Sequence, residues 1–123
     1  MYSKILIATD GSLTADRAVE RGLDIAASLG SAAVLLTVAS EAKAKTVLDR
    51  TLADHSNRNQ PIETASESGD PASVILDVSE EIGADLIVVG NKGMQGPRRF
   101  FLSSIPNKVA HHAKCAVLIV KTT

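Results

Sequence analysis

The sequence predicts an α/β fold in which a five-stranded parallel sheet is covered by helices on both faces. Short apolar runs alternate along the chain with amphipathic stretches of helical periodicity, as strands joined by crossover helices do. Most of the runs are apolar throughout, which is typical of strands buried on both faces. Of the 123 residues, 45% are hydrophobic but only 2% are aromatic, so the core must be aliphatic. The length suits one domain, residues 1–123.

The first strand and helix are predicted within residues 4–30. The run KILIAT, residues 4–9, is almost wholly apolar and ends at the sequence DGS. Ser12 or Thr14 can cap the helix that follows, and Gly30 can end it as a left-handed C′ residue. The apolar face at helical spacing consists of Ala15, Ala18, Val19, Gly22, Ile25, Ala26 and Leu29.

The second and third strand–helix units follow the same pattern. Residues 32–39 (AAVLLTVA) predict a buried strand, and the next helix begins at Glu41. Residues 62–68 alternate in polarity and carry little aliphatic bulk, so they predict the weakest strand, at a sheet edge. Asp70 then caps a helix that has Pro71 in its first turn. The inward positions of the two helices are Ala44, Val47, Leu48, Thr51 and Leu52, and then Val74, Ile75, Val78 and Ile82.

The last part of the chain contains a glycine loop. Residues 84–89 predict the fourth strand, residues 103–113 the last helix and residues 116–120 the fifth strand. The loop between them, GNKGMQGPRRFFLSS from Gly90, holds three glycines, a lysine and two arginines. Glycines let the backbone approach a ligand, and N–H groups at a helix start attract anions, so this stretch is typical of a phosphate site. On these residues alone, a solvated turn is an equal alternative.

Composition and charge argue against several function classes. The net charge is −1, which disfavours a nucleic-acid partner held by bulk charge. No apolar run approaches the roughly 18 residues that span a bilayer, and too few residues precede the first strand for a signal peptide. The single cysteine, Cys115, has apolar neighbours and no internal partner, which indicates a buried, inert thiol. We expect a cytoplasmic protein with no membrane partner.

Familiar catalytic and phosphate motifs are not supported. Ligands of parallel sheets bind beyond the carboxyl ends of the strands, which places Asp10 and the Gly90 loop on the same side of the sheet. No G-x-x-x-x-G-K-[ST] is present, and no G-x-G-x-x-G follows the first strand. A response regulator needs an acidic pair where this chain has one aspartate. No base lies near Ser12, and the adjacent His111 and His112 lack a third metal ligand, so we predict no catalytic residue and no metal site.

The chain resembles the universal stress protein family over essentially its whole length. The segments that carry the resemblance are ILIATDGS at residues 5–12, GDPA at residues 69–72, ADLIVVGNKGM at residues 84–94, FLSSIPNKV at residues 101–109 and VLIV at residues 117–120. ATP-binding members of this family carry the pattern G-x2-G-x9-G-[ST]. Gly90, Gly93 and Ser104 fit that pattern, and Ser103 stands where its third glycine is expected.

The resemblance implies the strand order 3-2-1-4-5 of the Rossmann-like, adenine-nucleotide alpha-hydrolase-like fold, with the first and fourth strands side by side. It also implies an adenine nucleotide as ligand (ATP, ADP, AMP or cyclic AMP), Mg²⁺ alongside a triphosphate, and a homodimer through the last strand, Ala116 to Val120. The nucleotide-binding residues that it implies are Thr9, Asp10, Gly11, Ser12, Val38, Ala39, Gly90, Lys92, Gly93, Ser103, Ser104 and Ile105.

Three functions stay open at this point, and we favour the first. It is regulatory binding of an adenine nucleotide in a stress response, in which Asp10 accepts hydrogen bonds from adenine or ribose and the loop holds ribose and phosphates. The second is a nucleotide-free dimeric interaction module, which the serine at position 103 favours. The third is an ATPase, which would be slow because no residue supplies a general base.

Overall fold

The protein is described here from a computed structural model, which covers residues 1–91 and 104–122. In chain order its elements are β1 (Lys4–Ala8), α1 (Leu13–Leu29), β2 (Ala32–Val38), α2 (Glu41–Asp54), a 3₁₀ turn (Ser56–Arg58), β3 (Ile62–Glu67), α3 (Pro71–Ile82), β4 (Leu86–Gly90), α4 (Ser104–His112) and β5 (Ala116–Val120). Every strand and helix predicted from the sequence is present.

The five strands form one parallel sheet in the order β3-β2-β1-β4-β5. This order confirms the arrangement that the family resemblance implies. The weakly apolar β3 lies at one edge, as its sequence predicts, and β5 lies at the other. From β1 the chain adds strands first on one side, to β3, and then on the other side, to β5. The switch point between β1 and β4, where this order changes, is where open α/β sheets bind ligands.

Helices cover both faces of the sheet, as predicted. Successive side chains of a strand point to opposite faces. Thus Ile7 of β1 lies in a core with residues of α1 and α2, including Val19 and Leu48. Its neighbour Leu6 lies in a second core with residues of α3 and α4, including Ile75 and Val109. The strands are therefore buried on both sides, which accounts for their continuous apolar runs.

The apolar face of α1 differs from the prediction at two positions. Leu23 was not assigned to this face but is 0% exposed, because it lies one turn beyond the buried Val19 and packs in the same core. Leu29 was assigned to it but is 42% exposed. Leu29 is the last residue of the helix, where the chain turns away towards β2.

The predicted helix ends are confirmed. Ser12 caps α1 by accepting a hydrogen bond from the backbone N–H of Ala15 at 3.1 Å, and Asp70 caps α3 by accepting one from the N–H of Ser73 at 3.1 Å. Gly30 ends α1 with φ of 67°, a left-handed conformation that favours glycine, and Gly83 ends α3 in the same way with φ of 71°. Within residues 1–91 and 104–122, no helix is long and apolar enough to cross a membrane.

Candidate functional site

The ends of β1 and β4 bring the predicted site residues together. These strands are parallel neighbours, and Ile7 pairs with Val88. Asp10 lies two residues beyond the end of β1, and Asn91 lies one residue beyond the end of β4. Neighbouring strands are about 4.8 Å apart, so the turn after β1 and the start of the Gly90 loop are adjacent.

Asp10, Gly11 and Ser12 form a tight turn that we call the Asp10 turn. The backbone N–H of Ser12 donates to Asp10 Oδ1 at 2.9 Å, and the N–H of Gly11 donates to Thr9 Oγ1 at 3.1 Å. Gly11 has φ of 84°, a conformation that L side chains rarely adopt. Asp10 is exposed, and no hydrogen bond from the described residues engages its second carboxylate oxygen. That oxygen is available to a donor on a ligand.

Two buried threonines anchor the Asp10 turn to the sheet. Thr9 and Thr37 are 1% and 2% exposed. Thr37 Oγ1 donates to the Thr9 carbonyl at 2.9 Å, and the Thr9 N–H donates to the carbonyl of Leu36 at 2.9 Å. Both polar groups of the Thr9 backbone are therefore satisfied from β2. The role of Thr37 was not predicted, although a hydroxyl within the apolar run AAVLLTVA was a signal that could have identified it.

The end of β2 supplies the predicted adenine-contacting backbone. Val38 is half-buried against the core on the α3 side of the sheet. The N–H of Ala39 donates to the carbonyl of Glu67 at 2.9 Å, so this N–H is already used within the sheet. Any hydrogen bond from Ala39 to a base must then use its carbonyl group.

The glycine loop is described only at its two ends. Gly90 is the buried last residue of β4, and Ser104 is the first residue of α4. The side chain of Ile105 is 8% exposed and lies in the core. Its backbone N–H belongs to the first turn of α4, where N–H groups have no partner within the helix. The predicted site residues Lys92, Gly93 and Ser103 lie outside the described residues.

A polar cavity of about 420 Å³ opens beside the Asp10 turn, between α1 and α2. Arg50 of α2 lines it, and Arg50 Nη2 donates to the Gly11 carbonyl at 2.6 Å. Nothing in the sequence around Arg50 distinguishes it from the other charged residues of α2, so sequence reasoning did not find it. A larger hollow of about 550 Å³ runs along α4, but its described lining contains none of the predicted site residues.

The prediction that the thiol of Cys115 is buried and inert is confirmed only in part. Cys115 is half-buried rather than fully buried. Burial raises the pKa of its thiol, and the nearby negative charge of Asp85 raises that pKa further, so the group is a poor nucleophile. Within the described ranges, no three His, Cys, Asp or Glu side chains are close enough to hold a metal ion.

A sequence model described as the universal stress protein family matches residues 1–55 and 41–121. The chain belongs to the universal stress protein family. The two matches share residues 41–55, which include all of α2. The connection from β2 to α2 is two residues long.

Similar proteins agree with this membership. The universal stress protein YxiE of Bacillus subtilis is 27% identical over an alignment of 148 residues, which covers 98% of this chain and 100% of YxiE. A crystal structure of a universal stress protein in complex with cAMP has a TM-score of 0.83 and 28% identity, covering 99% of each chain. A family protein from Arabidopsis thaliana with AMP bound has a TM-score of 0.74, covers 98% of this chain and 92% of its own, and at 20% identity supports the fold alone.

Proposed function

We propose that this protein binds an adenine nucleotide as a regulatory ligand in a cytoplasmic stress response. The observation that carries the proposal is the pairing of β1 with β4, which sets the strand that leads to Asp10 next to the strand that leads into the glycine loop. The similar structure in complex with cAMP supports an adenine nucleotide as the ligand, and open α/β sheets bind ligands at the switch point.

The residues present suit the parts of such a nucleotide. A carboxylate only accepts hydrogen bonds, so Asp10 suits a ribose hydroxyl or the exocyclic amine of adenine. A carbonyl at Val38 or Ala39 suits the same amine, because the Ala39 N–H is already used. The first N–H groups of α4, at Ser104 and Ile105, have no partner within the helix and suit a phosphate.

The remaining assignments complete this proposal. One wall of the site is the Asp10 turn, which is shaped by Thr9, Gly11 and Ser12. The glycine loop contacts ribose and phosphates through Gly90, Lys92, Gly93 and Ser103. Mg²⁺ would enter with a triphosphate, held mainly by its phosphate oxygens. We assign no catalytic residue, so the protein acts by binding rather than by rapid turnover.

We also propose a homodimer that forms through β5. This strand lies at the sheet edge, where backbone N–H and C=O groups are free to pair with another chain. It also presents apolar side chains outward: Ala116 is exposed, and Ile119 is 39% exposed. A second copy of this edge would cover both features.

The test of nucleotide binding is calorimetric titration and thermal melting with ATP, ADP, AMP and cAMP, with and without Mg²⁺. A ligand at 100 times its Kd adds about 2.7 kcal/mol of stability. Asp10→Ala should abolish binding, whereas Asp77→Ala, at an exposed position on α3, should leave it unchanged. The absence of any shift at millimolar nucleotide would refute the proposal.

The second candidate is the nucleotide-free interaction module, which the serine at position 103 favours. If its side chain crowds the phosphates, Ser103→Gly should tighten ATP more than AMP. Equal or weaker binding of ATP by this variant would show that the serine is not an obstacle. No binding by either the wild type or the variant would favour the interaction module.

A further inference from the structure

The peptide unit between Gly11 and Ser12 is held at both ends. Its N–H, which belongs to Ser12, donates to Asp10 Oδ1 at 2.9 Å. Its carbonyl, which belongs to Gly11, accepts a hydrogen bond from Arg50 Nη2 at 2.6 Å. A guanidinium is always charged, so the second bond is charge-assisted. Both bonds act on the same peptide and hold its plane in one orientation.

Arg50 acts on a peptide that adjoins a glycine. Gly11 has no side chain and lies at φ of 84°, so its own backbone restricts the neighbouring peptide less than another residue would. If this peptide turned over, its N–H would leave the Asp10 carboxylate and its oxygen would approach it. The orientation of the Asp10 carboxylate therefore depends on what fixes the Gly11 carbonyl.

Helix α2 is packed closely enough to perform this task. A Cβ placed on Gly11 would lie 3.0 and 3.2 Å from the two methyl carbons of Val47, one turn before Arg50. The start of α2 is fixed as well, because Ser40 caps it by accepting from the N–H of Lys43 at 3.3 Å. The connection after β2 is only two residues long, which keeps the start of α2 close to the end of that strand.

We propose that Arg50 is a positioning residue for nucleotide binding, which fixes the Gly11–Ser12 peptide and through it the carboxylate of Asp10. This inference rests on the proposed function, because it assumes that Asp10 contacts the ligand. Arg50 acts through the turn, so its loss should weaken all adenine ligands by the same factor, whether or not they carry phosphate.

The experiment compares Arg50→Ala and Arg50→Lys with Arg58→Ala. Arg58 is a matched control, since it also joins the α2 region to α1, by donating to Asp24 Oδ1 at 2.7 Å, but it lies away from the turn. We expect Arg50→Ala to weaken adenosine, AMP and ATP about tenfold each in calorimetric titration, with partial recovery in Arg50→Lys. Arg58→Ala should change these affinities less than twofold.

Hydrogen exchange at the Ser12 amide provides a measurement that needs no nucleotide. Exchange should become faster in Arg50→Ala and stay unchanged in Arg58→Ala. Unchanged affinity in Arg50→Ala overturns the proposal, and so does a loss that grows from adenosine to ATP, which would make Arg50 a phosphate ligand. If the wild type binds no nucleotide, the proposed function is wrong and Arg50 has no role in nucleotide binding. The exchange rate of the Ser12 amide then shows only whether Arg50 fixes the Asp10 turn.

Discussion

Asp85 and Lys4 exchange two hydrogen bonds at the point where β4 and β1 begin. Asp85 Oδ1 accepts from the Lys4 N–H at 3.0 Å, and the Asp85 N–H donates to the Lys4 carbonyl at 3.0 Å. The second oxygen of this carboxylate accepts from the Ser3 N–H at 2.8 Å. These bonds fix β1 against β4 at one end of the sheet, and the pairing of the two strands continues to Ile7 and Val88 towards the other end.

Acid should weaken this connection. The backbone N–H groups of Ser3 and Lys4 hold the pKa of Asp85 below its ordinary value of about 3.9. Its stabilisation is therefore complete above that pH and is lost as the pH falls through the lower folded-state pKa. Asp85→Asn should be less stable than the wild type at about pH 7, and the difference should shrink at about pH 3, as measured by urea unfolding.

The matched control for Asp85→Asn is Asp77→Asn, at an exposed position on α3. Its stability should follow that of the wild type at both pH values. A difference between Asp85→Asn and the wild type that stays constant with pH would contradict the role assigned to the ionised carboxylate.

Gly22→Ala should destabilise the protein, although alanine normally favours a helix over glycine by about 1 kcal/mol. The added Cβ would lie 2.7 Å from both Cγ1 and Cδ1 of Ile7, which is 0% exposed and has no room to move. We expect a net loss of about 1–3 kcal/mol in urea unfolding. Adding Ile7→Val removes Cδ1, so the double variant should lose less than the sum of the two single variants. A more stable Gly22→Ala would show that α1 can shift away from β1.

The fold could be predicted because its signals are local. The apolar run of β1 and the pair Asp70–Pro71 at the start of α3 each lie within a few residues of the feature they determine. The order of the strands in the sheet depends on contacts between distant parts of the chain, and its prediction came from the family resemblance. The exposure of Leu29 was missed because periodicity does not show where the end of a helix lies relative to the sheet.

The candidate site was predictable where it follows strand ends and not where it depends on packing. Asp10 comes shortly after β1 and Gly90 is the last residue of β4, so the strand order alone predicts that they lie at the ends of neighbouring strands. The bond from Arg50 to Gly11 depends on how α2 crosses α1, which no pattern in α2 encodes. The contact of Asn91 with Thr122 joins residues 31 apart in the chain, and both are common surface residue types.

The proposed dimer predicts different effects for two similar exposed side chains. Ile119 on β5 is 39% exposed and Leu29 at the end of α1 is 42% exposed. Ile119→Lys should convert the dimer to a monomer near 12.9 kDa, because it places a charge on the pairing edge. Leu29→Lys should leave the mass at twice that value in light scattering at micromolar concentration. A wild type that is already monomeric would refute the dimer.

Asn91 joins the start of the glycine loop to the chain that follows β5, and its removal should destabilise the fold. Asn91 Oδ1 accepts from both the N–H and the Oγ1 of Thr122, at 2.9 and 2.8 Å, and Thr122 is 2% exposed. Asn91→Ala leaves two buried donors without a partner, which should cost about 1–3 kcal/mol in urea unfolding.

Two further variants at this contact separate the acceptor from the bulk of the side chain. Asn91→Asp keeps an acceptor for both donors of Thr122 and should therefore stay close to the wild type. Thr122→Val removes only the Oγ1 bond and should cost about 1 kcal/mol, less than Asn91→Ala. Because Asn91 belongs to the start of the loop, Asn91→Ala should also weaken nucleotide binding more than Thr122→Val does. Equal stability of Asn91→Ala and Asn91→Asp would mean that the Thr122 donors find other partners and that this contact does not anchor the loop.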